Sequence, residues 1–202
     1  MTPFSYRTIA APAEGQYKEK GSRFLAFAYP VSSEPAIKEH LAGLEKKYHD
    51  ARHHCYAWTL GAEKKSFRAF DDGEPGHSAG DPILGQIRSR DLTNVLVVVV
   101  RYFGGVKLGV GGLITAYRTA AGYSLDSAQI IEKEVTEAIR ITYGYEATPE
   151  VMRLVKEFDL VVESQDFQSD CSLTAAYRVA DKEKFFEKLE RMRATGVKVR
   201  YE

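Results

Sequence analysis

The sequence predicts an α+β fold in two domains, residues 1–130 and 135–202, and three features carry that prediction. Residues 95–100, VLVVVV, form an unbroken, largely β-branched apolar run, which suits a strand buried on both faces better than one alternating between core and water. That run continues through Arg101, Tyr102 and Phe103 into a glycine cluster, after which apolar residues recur at helical spacing from Leu113: strand, glycine-rich loop, helix. From Val135 the pattern becomes strand, helix, two strands, helix, strand. This βαββαβ order is that of the split βαβ, ferredoxin-like arrangement, and about 68 residues suffice for it as an independent unit.

Taken in order, residues 6–9, 15–19 and 22–31 read as short strands punctuated by Pro12, Gly15, Gly21 and Pro30. Ser33 followed by Glu34 and Pro35 signals a helix start, and Ile37, Leu41, Leu44 and Tyr48 then recur at spacings of four, three and four, which predicts a helix over 35–48. Residues 53–60 return to strand character, with His53, Cys55, Ala57 and Thr59 on one face and His54, Tyr56, Trp58 and Leu60 on the other. Residues 65–70 pair with that strand across 61–64. DDGEPGHSAG at 71–80 is a constrained loop. Asp81 and Pro82 then open a short helix bearing Ile83, Leu84 and Ile87, and a long helix over about 112–127 closes the first domain. Residues 130–134 are expected to be a linker. The second domain is read as strand 135–145, helix 149–158, strands 160–167 and 171–180, helix 181–194 and strand 197–201.

At 44% hydrophobic content the chain supports one large core or two modest ones. Lys plus Arg and Asp plus Glu both number 28, so overall charge exerts no general pull towards nucleic acid or an anionic membrane, and any such contact must come from a local patch. Cys55 and Cys171 are far apart and outside any Cys-x-x-Cys pair, and no leader of basic then apolar residues precedes the first strand, so a reducing cytoplasm is the expected compartment. No apolar run approaches the roughly 18 to 20 residues that span a bilayer, so no membrane partner is expected.

Gly104, Gly105, Gly109, Gly111 and Gly112, flanked by Arg101, Lys107 and Arg118, could let backbone N–H groups and a helix N-terminus approach an anion. The same glycines could equally serve a sharp strand-to-helix reversal. They match neither G-x-G-x-x-G nor a P-loop. Arg52, His53, His54 and Cys55 suggest a metal or an activated thiol, but strand alternation turns His54 away from His53 and Cys55, and the only other concentrated ligand candidates are Asp71, Asp72, Glu74 and His77. No metal is therefore predicted. Asp71, Asp72 and Glu74 could hold a hard cation or act as acid and base; capping backbone N–H groups or pairing with the histidines and Arg52 is the commoner use of carboxylates in a tight loop. Lys20, Gly21, Ser22 and Arg23 form a basic turn, and helix 181–194 carries a mixed, solvated face.

KGSRF at 20–24, ARHHCYAW at 51–58, DDGEP at 71–75, AGDPIL at 79–84 and VVVVRYFGGVKLGVGGL at 97–113 together resemble the IMPACT/YigZ family, with the segment from Arg101 to Gly109 as its signature. The resemblance covers residues 17 to about 121, and the βαββαβ tail is similar to the second domain of the two-domain, bacterial YigZ branch. Gly76, His77 and Ser78 depart from the family's usual Ser-Gly-Thr. The resemblance implies for the first domain the fold shared by the second domain of a small-subunit ribosomal protein, elongation factor G domain IV and GHMP-type kinases. For the tail it implies a fold like domain V of the same factor. It brings no agreed enzymatic activity, and eukaryotic relatives regulate translation under amino-acid stress through protein partners.

These readings converge on a non-catalytic cytoplasmic regulator that binds RNA, the ribosome or a translation-associated protein, with no catalytic residue, metal or cofactor assigned. Candidate phosphate contacts are Lys20, Arg23, Arg52, His53, His54, Arg101, Gly104, Gly105 and Lys107, beside an acidic loop of Asp71, Asp72 and Glu74. The alternative is an enzyme acting on a small phosphorylated or nucleotide ligand at the glycine loop, with Asp72, Glu74 or His54 moving the proton. A pure protein-interaction module is the third reading.

Overall fold

The computed structural model describes residues 3–167 and 171–202, and its contacts divide the chain into two units, Met1–Lys133 and Glu134–Glu202. The first unit contains β1 (Ser5–Ile9), β2 (Ala13–Glu19), β3 (Ser22–Pro30), α1 (Glu34–Lys47), β4 (His53–Leu60), β5 (Ser66–Phe70), α2 (Gly80–Ser89), β6 (Val95–Tyr102), α3 (Gly109–Asp126) and β7 (Ile130–Glu134). The second contains β8 (Thr136–Tyr143), α4 (Thr148–Glu157), β9 (Val161–Phe167), β10 (Cys171–Arg178), α5 (Lys182–Ala194) and β11 (Val199–Tyr201). The chain is an α+β protein. None of its described helices is long and apolar enough to cross a membrane.

The valine run forms the middle of the five-stranded sheet, in the order β2-β3-β6-β4-β5, with β3 and β4 both antiparallel to β6. Both faces of β6 are covered. Val95, Val97 and Val99 enter a core with Ile83 and Ile87 of α2 and Ala116, Tyr117 and Ala120 of α3. Leu96, Val98 and Val100 point the other way, into a core with Ile37 and Leu44 of α1, Phe27 and Trp58. A strand sandwiched between helices on both sides has no solvent face to mark with polar residues, which is why the sequence reads as continuous apolar residues.

Local signals explain α1. The Ser33 side chain accepts a hydrogen bond from the Ala36 N–H at 3.4 Å, Pro35 sits in the first turn, and Lys46 and Lys47 face the negative end of the helix dipole. Helix α3 begins at Gly109, one turn earlier than its apolar periodicity predicts, because that first turn is mostly glycine and carries no periodic signal.

One sequence expectation fails outright. Residues 130–134 are not a linker but strand β7, which pairs with β1 in a separate two-stranded sheet. Beside the pairing, the Ala10 N–H donates to the Gln129 carbonyl at 2.9 Å, Ser5 hydrogen-bonds Glu132, and Ile130 packs on the core. The segment IIEKE lacks a strand-like pattern, and its partner lies at the other end of the domain sequence, beyond any local window.

In the second unit the sheet order is β11-β8-β10-β9, antiparallel throughout, which is the split βαβ order. Ile139, Ile141, Tyr143, Leu173 and Tyr177 pack against Val151 and Leu154 of α4 and Phe185 and Leu189 of α5 in a single core.

The turn between β2 and β3 meets the loop after β6 backbone to backbone. A Cβ placed on Gly104 would lie 1.9 Å from the Gly21 carbonyl carbon and 2.2 Å from the Ser22 nitrogen, whereas one on Gly111 would meet nothing within 4 Å. Gly104→Ala is therefore expected to destabilise the protein by about 3 kcal/mol or more through backbone displacement, and Gly111→Ala to be neutral or stabilising by about 0.5 kcal/mol through helix propensity. Urea denaturation midpoints of the two variants check the contrast.

Candidate functional site

The strand register brings two of the sequence candidates, Arg101 and His53, side by side. Arg101, at the end of β6, is flanked in the sheet by Phe24 on β3 and His53 on β4, all on the face that carries α3. Beside them the 71–80 loop and the 103–108 loop leave an open cleft of about 680 Å³, lined among others by Arg52, His53, Glu74, Arg101, Phe103, Lys107 and the first turn of α3 at Gly109 and Val110.

Arg101 is the anchor of this cleft. It is only 7% exposed, and its Nη1 donates to Glu74 Oε1 at 2.5 Å, the Glu74 side chain being only 4% exposed. The hydroxyl of Tyr117, a fully buried residue of α3, donates to the same Oε1 at 2.7 Å. Behind them Cys55 Sγ lies 3.3 Å from the Tyr117 hydroxyl and 3.0 Å from the Asp71 carbonyl. Burial pushes both the Cys55 thiol and the Tyr117 phenol well above their ordinary pKa values, so both keep their protons and serve as hydrogen-bonding groups. The guanidinium also lies 5.5 Å from the ring centroid of Phe24 and 5.6 Å from that of Phe103. Its Nε, by contrast, is buried with no hydrogen-bond partner among the described residues. A buried charge held by one carboxylate with an N–H left over is incompletely satisfied, and such a group calls for an explanation.

The acidic loop divides its labour. Asp71 Oδ1 accepts from the backbone N–H groups of Ala79 and Gly80 at 2.9 and 2.8 Å, and its Oδ2 from that of His77 at 2.8 Å. It thereby caps α2, whose own N-cap position is an alanine with no side-chain bond to offer. Burial pushes the Asp71 carboxyl up, but the three N–H donors outweigh it and hold the pKa below its ordinary value. Asp72 Oδ2 accepts the His54 N–H at 2.6 Å, and its carbonyl meets His53 Nδ1 at 2.8 Å, tying the loop to the start of β4. Only Glu74 of the three acids faces the cleft. Asp50 is a further acid on its lining, and Tyr102 hydrogen-bonds it at 2.7 Å.

Arg52, His53, Arg101, Lys107 and Glu74 are thus brought together. Lys20 is exposed on the β2–β3 turn and does not line the cleft. Arg23 pairs with Tyr102 in the sheet and lies 5.0 Å over its ring, on the α1 face. His54 is buried on that same opposite face, its Nε2 unpartnered among the described residues. The Gly104 N–H is already taken by Ser22 Oγ at 3.1 Å, so this glycine serves the close packing of two loops, and Gly105, at φ +89°, serves the turn. The donors that remain for an anion belong to the start of α3, which no side chain caps. Tyr117 and Phe103 are the functional residues that sequence reasoning misses. A tyrosine among the alanines of LITAYRTAA marks a polar tip buried on an apolar helix face, and was the available signal. No three His, Cys, Asp or Glu side chains among the described residues are grouped to hold a metal ion.

The fold and the site define an α+β protein of two units whose first unit carries a cleft of mixed charge, with Arg52, Arg101 and Lys107 against Asp50 and Glu74, at a strand–loop–helix junction. The family profile of the Impact N-terminal domain matches residues 20–125, and the chain belongs to the IMPACT family. It is 31% identical over 187 residues to the IMPACT family member YigZ of Escherichia coli, a match covering 92% of each chain, which makes it a YigZ-like bacterial type with both domains. It is 34% identical over 141 residues to the IMPACT family member YvyE of Bacillus subtilis, covering 70% of this chain and 65% of that one. A crystal structure of a hypothetical protein, 29% identical, superimposes with a TM-score of 0.77 over 98% of this chain and 97% of the other.

Two outcomes follow from the cleft floor. Because the folded-state pKa of Asp71 is below its ordinary value of about 3.8, its contribution is complete above that pH and is lost as the pH falls through the lower folded-state value. Asp71→Asn should cost about 1–2 kcal/mol at pH 7, the scale of a lost helix cap, with the gap to the parent protein narrowing as the pH falls below the ordinary value of 3.8, as urea unfolding at a series of pH values would reveal. Glu74→Gln leaves Arg101 buried without its counter-charge and should cost about 3 kcal/mol or more. Inorganic phosphate should then raise the melting temperature of this variant more than that of the parent; an equal response would mean that anions in the cleft do not reach Arg101.

Proposed function

We propose that this protein is a non-catalytic, RNA-binding regulator of the translation apparatus, working in the cytoplasm, whose first domain grips phosphate in the cleft at the end of β6. The observation that carries the reading is Arg101: a cation that lines an open cleft and whose buried Nε has no hydrogen-bond partner among the described residues. Around it Arg52 and Lys107 are exposed, and the N-terminus of α3 is uncapped. This combination of fixed and mobile cations with backbone donors is suited to phosphate oxygens. Of the groups that could do chemistry, His54 points to the opposite face of the sheet and the others are engaged. Glu74 is held by Arg101 and Tyr117, Asp72 by the His54 N–H, and Cys55 is kept as a thiol by burial. The family resemblance implies a likeness of the first domain to the second domain of a small-subunit ribosomal protein and to elongation factor G domain IV, and of the second domain to domain V; on that implication a ribosomal destination follows by analogy of fold alone.

A second reading, an enzyme or sensor for a small phosphorylated ligand, is favoured by one observation: the cleft volume of about 680 Å³ is that of a small-molecule site. Stabilisation by a free nucleotide or sugar phosphate in a thermal-shift panel, without RNA affinity, would select it.

With equal numbers of acidic and basic residues, RNA binding should be weak and salt-sensitive. Fluorescence anisotropy with labelled RNA at 50 mM salt should give measurable affinity. Lys107→Ala and Arg52→Ala should each weaken it several-fold and lower the slope of log affinity against log salt by about 0.7, one phosphate contact on a single strand. Unchanged affinity in both variants would move the site elsewhere. Absence of RNA affinity together with absence of ribosome co-sedimentation at low salt would end the reading.

A further inference from the structure

Phe103 stands 56% exposed and lines the same cleft as Lys107, Arg52 and the first turn of α3. It lies two residues beyond Arg101, whose guanidinium is 5.6 Å from the centre of its ring. Arg101 in turn lies 5.5 Å from the buried ring of Phe24, so the cation is placed between one interior and one exterior aromatic. Val110, 53% exposed in the first turn of α3, adds a second apolar group to the lining. A large apolar ring in water, backed by a buried arginine that Glu74 pairs and sharing its cleft with the exposed cations Arg52 and Lys107 as well as with Asp50, matches one kind of occupant well: a flat, π-faced group covalently joined to phosphate. An acidic peptide would use the cations but leave the ring without a matching partner, and a duplex keeps its base faces stacked within itself.

We infer that Phe103 is a base-stacking platform that makes this cleft select unpaired nucleotides, one base lying on the ring while adjoining phosphates meet Lys107, Arg52 and the N-terminus of α3. The inference rests on the RNA-binding reading and assigns its ligand class as single-stranded segments, loops or ends. The cleft, about 680 Å³, has room for a nucleotide or two and not for a helix. Stacking and phosphate contact are physically separable, since the first is insensitive to salt and the second is governed by counterion release.

The test is fluorescence anisotropy on the full chain with three probes of equal length: an unpaired oligoribonucleotide, an RNA duplex and an abasic oligonucleotide. The parent protein should prefer the unpaired oligonucleotide to the other two by tenfold or more. Phe103→Ala and Phe103→Leu should each lose roughly ten- to a hundredfold for the unpaired oligonucleotide, with an unchanged salt slope and little change for the abasic probe, while Phe103→Trp retains the preference. Equal losses on the abasic probe, retention by Phe103→Leu, or equal affinity of the parent for duplex and single strand would overturn the stacking role. If Lys107→Ala still weakened all three probes, phosphate binding in the cleft would stand without it. No affinity of the parent for any probe would remove both.

Discussion

The buried contact between Arg101 and Glu74 is the constraint on which the rest of the site depends. Two ions withdrawn from water recover their desolvation cost only when the geometry is good and further hydrogen bonds complete it. Here Tyr117 supplies the second bond to Glu74, and Cys55 stands behind Tyr117, so α3, β4, β6 and the 71–80 loop must all be in place for the pair to exist. Such a pair adds little net stability. What it fixes is position: a guanidinium that would swing freely on the surface is held against a cleft, with one buried N–H unpartnered among the described residues.

The loop that delivers Glu74 is tethered because its neighbours are committed to backbone. Asp71 holds the start of α2, and Asp72 holds the start of β4, which leaves Glu74 between two tethers. Ser78 and His77 serve this closure as well. Ser78 Oγ donates to the Pro75 carbonyl at 2.6 Å, and His77 Nδ1 meets Asp81 at 2.7 Å. A hydroxyl engaged with the loop's own backbone shapes the loop.

How much could be read beforehand depended on the range of the interaction. The valine run and the βαββαβ order were legible because they are local patterns, and strand alternation alone separated His54 from His53 and Cys55. Arg101, Lys107, Arg52, His53 and Glu74 were recognisable as charged residues in glycine- and turn-rich surroundings. That they share a cleft depends on register between strands distant in sequence. Arg23 shows the limit: it belongs to the same basic turn as Lys20, yet its pairing with Tyr102 in place of Arg101 puts it on the opposite face of the sheet. Gly104 shows another, since its packing against Gly21 is a contact between two loops that no motif announces. Strand β7, identified only by its partner β1, was invisible for the same reason.

The central claim is that the floor and rim of this cleft form one phosphate-binding surface, and the most direct measurement is a two-dimensional ¹H–¹⁵N NMR titration that follows the Arg101 Nε–H together with the backbone amides. On addition of a short unpaired oligoribonucleotide, the Arg101 Nε–H and the amides of Phe103 and of residues 107–112 should shift in concert at a common affinity. Those at Arg23 and His54, on the other face of the sheet, should hold still. Shifts confined to residues 134–202, or an Arg101 signal that stays fixed while RNA binds elsewhere, would contradict the account.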